Sequence, residues 1–161
     1  MYTEAYYAEV RAEEKKRRLL TGIPAALLLL SGVVVFAISQ AQRQVWGWKV
    51  ACILTLVGGA YFLFLSGVYV QPMGTYRKYV KMMLTGRRRE TVGMLTEIAA
   101  VTMDKDGLDC YRLMVNVGET GSPEDERLFY YDSLKPSLPF AAGDRVMVVS
   151  VDKMIADIRE A

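Results

Sequence analysis

Two stretches of the chain break off from any polar rhythm. Leu19 to Ser39 and Val50 to Val70 each run 21 residues without one Asp, Glu, Lys or Arg. As helices at about 1.5 Å per residue they would each measure roughly 31 Å, close to the ~30 Å hydrocarbon core of a bilayer. The pattern predicts two transmembrane helices, 19–39 and 50–70. A cleaved signal peptide is the rival reading for the first, with Ser39-Gln40-Ala41 as a loose cleavage site. Such peptides have apolar segments of only ~7–15 residues, so an uncleaved span is expected. The connection 40–49 permits nothing but a tight helical hairpin, with Trp46 and Trp48 at the membrane–water interface. In the second span Thr55, Gly58, Gly59 and Ala60 form a small-residue strip that repeats at Ser66 and Gly67. Small residues let helix backbones approach, which marks Thr55, Gly59 and Ser66 as packing positions, against the first helix or another protein.

Helical spacing continues on both sides of the hairpin. Residues 1–18, with Tyr2, Tyr6 and Tyr7 ahead of mixed charges, read as a cytoplasmic, basic amphipathic lead-in. Residues 71–90 read as a basic juxtamembrane segment. After Pro72 and Gly74, Thr75 is the expected N-cap and Gly86 the expected C′ residue of a short helix lying at the interface. Tyr76, Val80, Met83 and Leu84 fall on one of its faces, while Arg77, Lys78 and Lys81 occupy the others and Arg87, Arg88 and Arg89 follow.

From Thr91 the period changes to alternation, which predicts five strands in residues 91–161. The first, Thr91–Met103, is long, carries Val92, Met94, Ile98 and Ala100 on one face, and is expected to bulge or bend at Ala99-Ala100. Asp106-Gly107 is a hairpin signal leading into Leu108–Val117, where Tyr111, Leu113, Val115 and Val117 share a face. Gly118–Glu126 reads as an acidic, flexible loop. Arg127–Tyr131, Arg145–Val151 and Met154–Ile158 complete the set, with Gly143-Asp144 turning into the fourth strand. A small closed barrel fits, OB-like in the first instance and SH3-like in the second, because closure removes exposed edges. The fold class expected is thus a membrane protein: a two-helix transmembrane hairpin followed by a small all-β barrel.

Charge refines this picture. Residues 1–90 hold 13 Lys and Arg against 5 Asp and Glu, and residues 91–161 hold 7 against 13, so a net +2 conceals a basic anchor and an acidic domain. Five basic residues precede the first span, two lie in the connection and six follow the second, which places both termini in the cytoplasm of an inner or plasma membrane. The six trailing residues, Arg77, Lys78, Lys81, Arg87, Arg88 and Arg89, are with Trp46 and Trp48 the candidates for anionic-lipid and interface contact. Neither span carries an ionisable residue of the kind an ion pathway uses.

Little catalytic chemistry is signalled. The chain has no histidine, which removes imidazole-based triads and His zinc sites. Cys52 and Cys110 lie in different parts of the chain and read as free thiols. The Asp104–Asp109 run has its glycine at the fourth position, where a calcium loop needs it at the sixth, and reads as a turn. No Gly-rich nucleotide cradle is present. Tyr111, Phe129, Tyr130 and Tyr131 have the aromatics of a nucleic-acid platform, yet the acidic domain opposes a phosphate backbone. Phe129, Tyr130 and Tyr131 are instead the expected partner-contact patch, with Phe129 and Tyr131, or else Tyr130, exposed.

The run Gly143-Asp144-Arg145-Val146-Met147-Val148-Val149-Ser150-Val151-Asp152, followed by Ile155 and Ile158, resembles the final hairpin of the OB domain in NfeD-like membrane proteins. It departs from that pattern in having Lys153 where a turn glycine is usual. The resemblance implies a scaffold for stomatin-like membrane partners and no catalysis. The expected function is a non-enzymatic integral membrane protein that offers its barrel as an interaction or assembly module, without catalytic, cofactor or metal residues. The alternative is an accessory subunit of a transporter or membrane enzyme that makes contact through its helices. Membrane lipids and another membrane protein, or further copies of the chain, are the expected partners.

Overall fold

The computed structural model describes residues 2–118 and 122–161. These form two compact units, Ala8–Arg77 and Lys78–Ala161, the second joined by the N-terminal residues through Tyr7. The helical elements are α1 (Glu4–Ala41), α2 (Gly47–Leu65), a π turn (Ser66–Val70) and α3 (Gln71–Thr85). Two helices, Glu4–Ala41 and Gly47–Thr85, are long and apolar enough to cross a membrane.

Within the first unit α1 and α2 run antiparallel along a seam of small residues. On α1 the buried positions Thr21, Ala25, Gly32 and Ser39 recur at spacings of four and seven, the period of a coiled-coil seam. A Cβ on Gly32 would lie 3.4 Å from both the Ala51 carbonyl oxygen and Thr55 Oγ1, and one on Gly58 would lie 3.1 Å from Leu28 Cβ. Thr55 thus lies at this seam, where Gly58 rather than Gly59 makes the close approach. A Cβ on Gly59 meets nothing within 4 Å. Side chains away from the seam are uncovered: Leu30, Val33, Leu56 and Leu63 are 61%, 65%, 72% and 74% exposed.

The break expected at Pro72 and Gly74 is absent, and α3 continues directly from the π turn. Proline offers no N–H and its ring strikes the carbonyl four residues back, which normally ends or kinks a helix. Here the preceding turn widens so that the Gln71 N–H reaches the Ser66 carbonyl, five residues back. The π turn thus absorbs the misfit one residue before Pro72. The face of α3 assigned from sequence to a membrane interface is buried in the protein, with Val80 and Met83 fully enclosed. Gly86 is not left-handed as a C′ glycine would be. It is required because a Cβ there would collide with Val151.

The second unit is a five-stranded mixed sheet closed in a ring, β1 (Arg89–Lys105), β2 (Leu108–Asn116), β3 (Glu126–Asp132), β4 (Arg145–Val151) and β5 (Met154–Glu160), with neighbours in the order β1-β2-β3-β5-β4. β1 closes it. Its first part, Arg89 to Met94, pairs with β4, and from Met94 to Lys105 it pairs with β2. Register shifts at Leu95/Glu97 and Ile98/Thr102 bend it, the second spanning the expected Ala99-Ala100 site. The first shift also decides which face is inside: Val92 and Met94 point out, Leu95 is fully buried, and Ile98 is brought back against the core. Leu95, Leu113, Val115, Phe129, Tyr131, Val146, Val148 and Ile155 form that core.

Two of the hairpins turn on a pair of consecutive left-handed residues. Asp106 and Gly107 (φ 57° and 80°) make the expected hairpin, with the Gly107 N–H donating to Asp104 Oδ1 at 3.0 Å. Asp152 and Lys153 (φ 49° and 69°) make the other, joining β4 to β5. Of the acidic stretch Gly118–Glu126, Glu119 to Gly121 lie outside the described residues, and Pro123–Asp125 form one 3-10 turn.

Two glycine exchanges of opposite sign follow from this backbone. A Cβ on Gly93 would lie 2.7 Å from Val115 Cγ1 and closer still to the Asn116 carbonyl oxygen, so Gly93→Ala lowers stability by about 2–4 kcal/mol. Lys153→Gly removes a left-handed side chain and raises stability by about 0.5 kcal/mol after the entropic penalty of glycine. Urea unfolding of both variants measures the two shifts.

Candidate functional site

A cleft of about 640 Å³ opens in the strand unit between the start of β1, the start of β3 and the β4–β5 turn. Its origin is a gap in the sheet. β3 and β5 lie parallel, yet their registered pair is Tyr130↔Met154 alone, at the very first residue of β5. The chain before Met154 turns away through Asp152 and Lys153, and among the described residues no strand is registered beside Glu126 to Phe129 on that side. Those four consecutive residues all line the cleft. Successive strand side chains point to opposite faces, so four in a row border one space only along the strand's edge.

The parity of β3 identifies which backbone groups face that space. The Tyr130 N–H points away from β2, donating to the Lys153 carbonyl at 2.9 Å, whereas the Ser133 N–H points towards β2, donating to Asp109 at 3.1 Å. Alternate residues of a strand share a direction. Arg127 and Phe129 therefore bond β2, and Leu128 directs both its N–H and its carbonyl into the cleft. The Glu126 N–H is already taken by the Pro123 carbonyl.

The charge of the cleft opposes that of the surrounding domain. Arg87, Arg89, Arg127 and Lys153 line it against Glu126 and Asp152. All four cations are exposed, and among the described residues none has an ion pair or side-chain hydrogen bond. Phe129, 5% exposed, and Leu128 supply an apolar floor.

A second polar cluster in this unit is fully engaged. The Tyr2 hydroxyl donates to Asp132 Oδ2 at 3.0 Å and lies 3.0 Å from the Tyr79 hydroxyl. Asp132 is buried and also accepts the Leu134 N–H through Oδ1 at 2.9 Å. Lys135 Nζ sits 3.3 Å from the Tyr6 ring centre and 4.8 Å from that of Tyr2. The cluster ties the N-terminal residues to the connection after β3. Cys110 lies opposite Asp132 in the β2–β3 register. Burial, then the Asp132 charge, pushes its thiol up to about 11, which makes it a poor nucleophile at neutral pH.

The residues singled out from sequence are dispersed. Phe129 and Tyr131 do not form an exposed patch: alternation turns both into the core, where the Tyr131 hydroxyl donates to the Pro136 carbonyl at 2.7 Å, and Tyr130 is half-buried. Arg77 is held by Glu14, whose side chain is only 6% exposed and which also bonds Arg18 at 2.6 Å. Lys78, Lys81 and Arg88 are exposed on or just after α3, while Arg87 and Arg89 enter the cleft. Trp46 and Trp48 flank the start of α2, 56% and 48% exposed. Ser66 borders a small space with Arg18, Thr21, Phe62 and Val70. Sequence reasoning missed Glu14, Asp132 and the edge of β3. Glu14, the second of two adjacent acids directly before Lys15, Lys16, Arg17 and Arg18, was the visible signal for the first. Among the described residues no group of three or more His, Cys, Asp or Glu could hold a metal ion. No family model, curated protein or solved structure matches the chain.

The buried hydroxyls and thiol fix an alkaline limit on stability. Burial, the leading cause in each case, raises Tyr2, Tyr79, Tyr131 and Cys110 above their ordinary values, 10.0 for tyrosine and 9.0 for cysteine. The folded state then holds these protons more tightly than the unfolded chain. Their contribution is complete below pH ~9 and is lost as pH rises through the folded values, at up to about 1.4 kcal/mol per pH unit for each group. The urea midpoint should be level from pH 7 to 8.5 and fall by pH 10.5. A midpoint unchanged at pH 10.5 contradicts this linkage.

Proposed function

We propose that the protein is a non-enzymatic, membrane-anchored interaction module whose cytoplasmic strand domain engages a partner through the cationic cleft. The observation that carries this reading is the cleft itself: four unpaired cations around an open strand edge, in a domain otherwise acidic. Unpaired charges grouped on one concave surface steer and select an oppositely charged partner. The anchor is supported by the uncovered apolar surface of α1 and α2, of an extent that a water-soluble protein rarely leaves open. The distribution of Lys and Arg supports cytoplasmic termini. An OB-type ring is supported by β1 shared between β2 and β4 and by the parallel β3–β5 contact, which an SH3-like order does not require. That is also the ring implied by the resemblance of the final hairpin to NfeD-like proteins.

A second reading, an accessory subunit that contacts its partner through the helices, is favoured by Gly59 and Gly67, where an added Cβ meets nothing within 4 Å. Copurification from native membranes in mild detergent separates the two. Under the module reading a stoichiometric partner survives exchange of α1 and α2 for an unrelated hairpin, and Arg89→Glu with Arg127→Glu reduces its recovery about tenfold. Recovery that follows the helices and ignores the cleft overturns the module.

A further inference from the structure

We propose that the cleft takes an extended, acidic segment of a partner protein, which adds to β3 as a strand. The inference rests on the module reading above and names the chemistry of the partner. Three observations converge on it. Among the described residues Leu128 presents an N–H and a carbonyl to the cleft with no sheet neighbour beside them, and Glu126 presents a carbonyl. An unpaired strand edge is a template for another backbone, and main-chain hydrogen bonds supply the affinity in such complexes. The open edge from Glu126 to Phe129 is four residues long, enough for one short strand at about 3.3 Å per residue.

The second observation is how the slot ends. Tyr130 marks the point where β5 takes over the same edge, and the Asp152-Lys153 turn closes the slot there. An incoming strand would thus continue the line of β5 and extend the pairing of β3 without displacing any existing bond. The third is charge. Arg89 and Thr91 stand at alternate positions of β1, so they share a face, and with Arg87, Arg127 and Lys153 they surround the space in which the side chains of an added strand would lie. Acidic side chains at alternate positions of that strand match this arrangement. A nucleic acid carries the same sign of charge but would meet the acidic remainder of the domain. A lipid headgroup would satisfy the cations and leave the backbone edge unanswered.

The test uses the full-length protein in detergent micelles and a fluorescent peptide of alternating glutamate and valine, followed by anisotropy. Two isomers of the peptide are N-methylated, each on one alternate set of amides. Methylation removes backbone donors without altering charge. With the glutamates fixed towards the cations and the peptide running parallel to β3, as β5 does, only one set of amides faces β3. One isomer should therefore bind like the parent peptide and the other about tenfold or more weaker, and Arg89→Glu with Arg127→Glu should abolish binding of all three. Equal affinity of the two isomers would mean attraction by charge alone and would overturn strand addition, as would failure of the parent peptide to bind. If the peptide fails while partner recovery from membranes still depends on Arg89 and Arg127, strand addition falls and the module reading stands. If that recovery is also indifferent to the two arginines, the module reading falls with it.

Discussion

One strand doing duty for two partners sets the form of the strand domain. β1 is 17 residues long and divides itself between β4 and β2, with the change of partner at Met94. A straight strand cannot curve round to both, so the bend has to be built into the backbone. It is supplied by two register shifts and by Gly93, where β1 passes so close to Asn116 that no side chain fits. Closure through β1 joins the five strands into a ring but leaves the start of β3 unpaired on its outer side. With β4 committed to β1, β5 meets β3 only from Tyr130 onward, and the first four residues of β3 keep a free edge. The cleft is therefore a consequence of how the ring closes, and the cations are decoration placed on it by sequence.

The helical unit is organised by a different constraint. Small residues at the seam let the backbones of α1 and α2 approach at Gly32 and Gly58, where contact is by dispersion. Such a seam is weakly selective for register. Glu14 supplies selectivity: a nearly enclosed carboxylate is costly to desolvate, and it is held by Arg18 on its own helix and Arg77 beyond the π turn. The guanidinium of Arg17, 4.5 Å above the Tyr69 ring, adds a second polar fixture of the same kind. In the strand domain Asp132 plays a parallel part, receiving the Tyr2 hydroxyl and so fixing the N-terminal residues.

Much of the fold was legible because it is written in periods that short windows contain. Two uncharged runs gave the helices, and alternation with Asp106-Gly107 and Gly143-Asp144 gave the strands to within about two residues. What escaped depends on partners distant in sequence. The register shift at Leu95 inverts the exposed face of β1, so the expected grouping of Val92 with Ile98 could not reveal which side was inside. The exposed patch expected at Phe129 and Tyr131 is absent: a three-residue aromatic run does not tell which of its two faces meets the core. The helix break at Pro72 failed to occur because a π turn compensated for it, and no side-chain pattern announces such a turn. As for the site, Arg87 and Arg89 stand out in the sequence, but as part of an anionic-lipid cluster, and nothing there marks Arg127 or Lys153 as their companions. That Arg87 and Arg89 share a cleft with Arg127 and Lys153 follows from the topology of the ring, and the open edge follows from where β5 begins.

Strand addition requires that Leu128 have no backbone partner on its outer side while its neighbours are paired with β2. Amide hydrogen exchange of the full-length protein in micelles, resolved residue by residue, measures this directly. Rapid exchange is expected at Leu128, between slowly exchanging amides at Arg127 and Phe129. Protection of Leu128 equal to that of Phe129 would show the edge already occupied and would contradict it.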